Sequence, residues 1–92
     1  MLETVIAFLA LLNCYPQDYV ITSSNRTFYL AGDIGVIYIS PGMYKDHVLA
    51  HELYHHCQFQ WAGKKPAQSW EEWKRREEEA MKVEDIFLNL SE

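Results

Sequence analysis

A 92-residue chain carries the run His51-Glu52-Leu53-Tyr54-His55. Residues four apart on a helix lie about 40° apart around its axis and one turn apart along it, so both imidazoles point the same way. Each can then offer one nitrogen to a single Zn²⁺ at about 2.0–2.1 Å. Glu52 lies about 100° from His51 and about 60° from His55, so it flanks a metal held by the two histidines rather than joining it. A base that acts on a metal-activated water belongs at that position. The pattern is short, yet a chance match in a chain of this length is rare; the bland reading is a surface helix that happens to be rich in histidine.

Two histidines alone make a weak site, and catalytic zinc usually has three protein ligands plus water. No histidine follows His56, so the third ligand should be a carboxylate: Glu77, Glu78, Glu79 or Glu84. On a helix, Trp70, Trp73, Ala80, Met81 and Leu88 fall within about 60° of Glu77. Glu77 is therefore expected in the middle of an apolar stripe facing the core, where a carboxylate must be paired or metal-bound. Glu78 shares its side with Lys74, Arg75 and Lys82 and reads as solvated, while Glu79 lies on the flank near Arg75, Arg76 and Val83. Glu84 competes from about 20° off the stripe, as a ligand or as an acceptor for a ligand histidine. His47 extends the histidines to an i, i+4, i+8 row. The outer two are about 12 Å apart along the axis, too far to share one ion closely. His47 is thus expected at the rim, with a proton-donating or substrate-contacting role as the alternative. His56 points about 100° away from His55, to the back of the helix, and reads as structural.

These side chains need elements to carry them. A helix is expected from about Tyr44 to Ala62, stopped by Gly63 with Pro66 beyond. Another runs from Trp70 to about Asn89, with Ser69 as N-cap and Glu72 completing a capping box. Upstream, Leu2, Val5, Ile6, Leu9 and Leu12 fall at helical spacing before Pro16. Tyr19–Thr22 reads as a strand, Ser23–Arg26 as a turn and Thr27–Ala31 as the hairpin partner. Gly32–Gly35 is a second turn and Val36–Ser40 a third strand, which together make a meander. The expected fold is one α+β domain over residues 1–92: N-terminal helix, small three-stranded sheet, active-site helix and C-terminal glutamate helix.

The net charge of −5 argues against a nucleic-acid partner, since no face carries the excess of cations that phosphates require. The apolar run Val5–Leu12 falls well short of the about 20 residues of a membrane span. It also lacks the basic start of a signal peptide, with Glu3 present and no cation before Arg26. No membrane partner is expected, and the location is expected to be cytoplasmic, with secretion by an atypical N-terminal signal as the alternative. Cys14 and Cys57 are too few for a disulfide framework and are read as small core residues ahead of a disulfide or ligand role. Cys57, about 200° around the helix from His55, points away from the metal face.

The pairing of His51-Glu52-Leu53-Tyr54-His55 with a downstream Glu77-Glu78-Glu79-Ala80 resembles the gluzincin clan of zinc metallopeptidases. The second motif is similar to the Glu-x-Glu-Ala pattern of the ImmA/IrrE-like peptidases, and the small size to the minigluzincins. The resemblance spans roughly Val36 to Val83. It implies a zincin-like fold, a Zn²⁺ cofactor, Glu52 as general base and Glu77 as third ligand. It also implies an edge strand that pairs with an extended peptide or protein substrate. Val36–Ser40, with Ile37, Tyr38 and Ile39, is expected to be that strand. Larger relatives stabilise the oxyanion with a histidine, tyrosine or arginine, for which Tyr38, Tyr44 and His47 are the candidates here. Met81-Lys82-Val83 departs from the Asn- or Asp-containing continuation of relatives. The expected function is hydrolysis of peptide bonds. The alternatives are a latent or non-catalytic zinc domain acting as a regulatory or partner-binding module, and a helical interaction module without metal.

Overall fold

The apolar run near the N-terminus winds into α1 (Leu2–Ala10), which buries Val5, Phe8 and Leu9 on one face in a computed structural model that describes residues 2–91. The helix ends well before Pro16. Its exit turn is closed by Asn13 at φ 59° and by the Cys14 amide donating to the Leu9 carbonyl at 3.0 Å. Leu12 lies in that turn and still packs on the core.

Three strands follow: β1 (Tyr19–Ser23), β2 (Phe28–Leu30) and β3 (Gly35–Ile39). They do not form the expected meander. The sheet order is β1-β3-β2, with β1 parallel and β2 antiparallel to β3. The cause is burial. On β3, Gly35, Ile37 and Ile39 are all buried, whereas β1 and β2 have no fully buried residue. The strand that is most withdrawn from water gains most from a ladder on both sides. The Ser23–Arg26 segment therefore crosses the end of β3 instead of turning back on β1. The Ser24 amide donates to the Ile39 carbonyl, and the Ser40 amide donates to the Thr27 hydroxyl, both at 3.0 Å. This corrects the edge-strand expectation: β3 lies between β1 and β2, with Ile37 and Tyr38 paired on both sides and Ile39 paired with Ser23, so it is not an edge that can receive a peptide. Among the described residues, the free edge beside the helices belongs to β2.

Helix α2 (Asp46–Trp61) lies between the sheet, α1 and the last helix, α3 (Trp70–Ser91). Gly63 ends the α2 segment at φ 72°, and the Lys64 amide closes the turn on the Phe59 carbonyl. The Ser69 hydroxyl accepts from the Glu72 amide at 3.1 Å, as an N-cap should. The Glu72 carboxylate reaches back to the Gln68 amide, one residue earlier than the simple capping box. Gly35 lets α2 lie close to the sheet, because a Cβ there would come within 2.6 Å of the His56 ring.

Two expectations about packing are corrected. Cys14 and Cys57 are joined in a fully buried disulfide that ties the exit of α1 to the middle of α2. Closing 43 positions of chain removes unfolded-state entropy, worth about 4 kcal/mol in the chain-entropy account. The buried stripe of α3 is Ala80, Val83 and Phe87, at i, i+3 and i+7. Trp70, Trp73, Met81 and Leu88 are exposed, and Glu77 stands at the border of the buried stripe rather than in its middle. Small Ala80 lets α2 and α3 approach, and none of the described elements covers the larger side chains. No helix of the described residues is long and apolar enough to cross a membrane.

Candidate metal centre

His51 and His55 project from one face of α2 with ring centroids 5.0 Å apart. Across from them α3 presents Glu77. Its Oε1 lies 2.9 Å from His51 Nε2, and its Oε2 lies 3.0 Å from His55 Nε2. The two ε nitrogens thus converge on one carboxylate. The opposite sides of both rings are also engaged. His51 Nδ1 donates to Glu84 Oε1 at 2.8 Å, and His55 Nδ1 donates to Gln58 Oε1 at 2.8 Å.

The hydrogen-bond chemistry of these rings has a consequence. A neutral imidazole has a single N–H. With Nδ1 donating to an acceptor, Nε2 offers a lone pair, and here that lone pair faces a carboxylate. Two lone pairs against one carboxylate call for a cation among them. Protonating both rings would supply charge, but burial holds the His55 pKa below its ordinary value, against the pull of Gln58 and Glu77. A single metal ion would also meet the requirement. Ligand atoms of a tetrahedral zinc with bonds of about 2.05 Å are about 3.3 Å apart. The present separations need open by only roughly 0.4 Å. Ligand atoms of His51, Glu52 and His55 also lie within 4.8 Å of one another, so this His-Glu-His group could hold a metal ion.

Glu52 is 7% exposed and sits between the histidines on the flank of α2. Burial pushes its pKa up to about 7; the nearby carboxylates of Glu77 and Glu84 add to this, and His51 opposes it. Glu84 is bidentate. It holds His51 with one oxygen and His47 Nδ1 with the other, at 2.8 Å. Of the two expectations for Glu84, the contact seen is that of an acceptor for the His51 ring. His47 is one step further out, behind Glu84. Glu78 is exposed.

Other expected residues are placed elsewhere. Tyr38 stacks on Phe28 with ring centroids 4.6 Å apart, on the sheet face opposite Ile37. It faces away from α2. Tyr44 is 64% exposed, and neither it nor His47 lines the cleft. None of the three oxyanion candidates lines the cleft: alternation on β3 turns Tyr38 away, Tyr44 is exposed, and His47 reaches the site only through Glu84, as a rim residue would. His56 is structural as read. Its Nε2 donates to the Gln17 carbonyl, so its Nδ1 accepts from the Tyr29 hydroxyl. That phenol stays protonated, because burial pushes its pKa up to about 12.

The cleft in front of the histidines has a volume of about 560 Å³ and runs between the free edge of β2 and the first turns of α3. Phe28, Tyr29, Pro66, Ala67, Trp73 and Arg76 wall it. The Tyr29 ring lies parallel to His55 with centroids 6.4 Å apart. Arg76 is held by Glu72 at 2.9 Å and by the Lys65 carbonyl at 3.1 Å. Tyr29, Arg76 and Gln58 were missed by sequence reasoning. Gln58 had a signal, since it stands one turn after His55 on the same helix face. Tyr29 had none, because only the sheet order brings it to the site.

Compared with known protein families, with curated proteins and with solved structures, the chain matches none.

Proposed function

We propose that this chain is a zinc-dependent peptidase, with His51 Nε2, His55 Nε2 and the Glu77 carboxylate as protein ligands. The observation that carries the reading is the convergence of both ε nitrogens on Glu77 while both δ nitrogens donate to acceptors. Zn²⁺, when bound, acidifies a water and polarises the scissile carbonyl. Glu52 takes the proton from the attacking water and passes it to the leaving amine. Its burial beside His51 and His55 places the carboxylate where both halves of that transfer need it. An extended peptide pairs with the free edge of β2, which borders the cleft, and its side chains meet the Tyr29 and Trp73 rings.

A second reading, a zinc domain that holds a peptide without cutting it, has one observation in its favour. Tyr38, Tyr44 and His47 all lie off the cleft, so none of them stabilises an oxyanion there. Incubation with a mixed peptide library separates the two readings. Wild type is expected to cleave, and Glu52→Gln to keep its zinc while losing about 10²–10⁴-fold in rate. Equal cleavage by both removes Glu52 as base. No cleavage by zinc-loaded wild type favours the binding reading. The disulfide supports an oxidising compartment over the cytoplasmic expectation.

A further inference from the structure

Gln58 is 5% exposed, and both ends of its amide are used. Its Nε2 donates to the Arg76 carbonyl and to Glu79 Oε1, each at 2.9 Å. Both partners are acceptors only, so the amide can face them with its nitrogen alone. The carbonyl end must then face His55, and His55 Nδ1 must be the donor there. The amide orientation thus dictates the tautomer: the proton sits on Nδ1 and Nε2 is left with its lone pair toward Glu77. The other end of the same side chain holds the peptide group between Arg76 and Glu77, the group from which the Glu77 side chain starts.

We propose that Gln58 is the positioning residue of the metal centre, a pin that sets the tautomer and ring angle of His55 on α2 and fixes the turn of α3 that carries Glu77. The proposal rests on the reading of His51, His55 and Glu77 as ligands. Glu84 does the first half of this work for His51, but it rides on α3 itself and grips no backbone. Among the described residues, it is Gln58 that connects His55 on one helix to the main chain beside Glu77 on the other. Losing such a partner typically lowers metal affinity by about 10–100-fold.

The test uses Gln58→Met, which keeps the length and loses both polar ends, and Gln58→Glu, which can still accept from His55 but cannot donate to Arg76. Zn²⁺ affinity is measured by chelator competition on folded protein. In the zinc-loaded protein the exchange rate of the His55 Nδ1 proton is followed by NMR. The proposal expects a loss of at least about 10-fold in affinity for Gln58→Met. It expects a smaller loss for Gln58→Glu, and a slowly exchanging His55 Nδ1 proton that becomes fast in Gln58→Met and stays slow in Gln58→Glu. A merely space-filling role moves stability without moving that proton. If Gln58→Met fails to fold, the Gln58→Glu affinity and the wild-type proton decide. Zinc binding by wild type with unchanged affinity in the variants, or a fast His55 Nδ1 proton in wild type, overturns the pin and leaves the ligand assignment standing. Absence of zinc binding by wild type overturns both. Zinc binding without hydrolysis removes only the peptidase reading.

Discussion

Glu77 and Glu84 both hold His51, but by different nitrogens, and the difference separates their roles. Glu77 faces the ε nitrogens of two histidines, whereas Glu84 takes δ protons from His51 and from His47. Replacing Glu77 with Gln removes a ligand oxygen and its charge. Zinc affinity should fall by more than about 100-fold, beyond the about 10–100-fold typical of losing an outer partner, which is the range expected for Glu84→Gln. The two variants are compared side by side by chelator competition, and a larger loss in Glu84→Gln would make Glu84 the ligand. His51, Glu52 and His55 were legible in the sequence because their relation is set within one helix, where spacing fixes direction. Glu77 does face both histidines, but the apolar stripe offered for it does not exist. Trp70, Trp73, Met81 and Leu88 stay exposed, and the burial of α3 runs through Ala80, Val83 and Phe87. Counting angles on an isolated helix finds the apolar residues, but it does not find the side the neighbour takes.

The same limit governs the elements. The ends of α2 and α3 were legible, because Gly63 and Ser69 act through local hydrogen bonds. The strand order was not, because it is decided by which strand is buried on the helix side. Putting β3 in the centre moved the free edge from Ile37–Ile39 to β2 and brought Tyr29 to the cleft. The disulfide was equally hidden, since its cysteines are 43 positions apart and only the packing of α1 on α2 brings them together. That bond should be the main tie between α1 and the helix that carries the histidines. The Cys14→Ala, Cys57→Ala double variant is expected to lose about 2–4 kcal/mol of unfolding free energy in urea under oxidising conditions. Wild-type stability that is the same with and without reductant would contradict this, as would an intact mass corresponding to two free thiols.

At the scale of the whole molecule, the described residues share one core, which gathers around Leu9, Ile37, Leu49, Leu53 and the disulfide. Domains of this size bury a modest share of their surface and lean on covalent or metal links for stability. At the candidate metal site, His51, His55 and Glu77 join α2 to α3, while Gln58 and Glu84 hold the same two helices from the outer side. On the proposed function, a metal ion bound there would couple directly to folding and would link α2 to α3, which the disulfide does not join. Titration of metal-free protein with Zn²⁺, followed by calorimetry, should show one site per chain, saturating at one equivalent and absent in His51→Ala. A wild-type protein that takes up no zinc, or takes it up equally well without His51, would contradict the account.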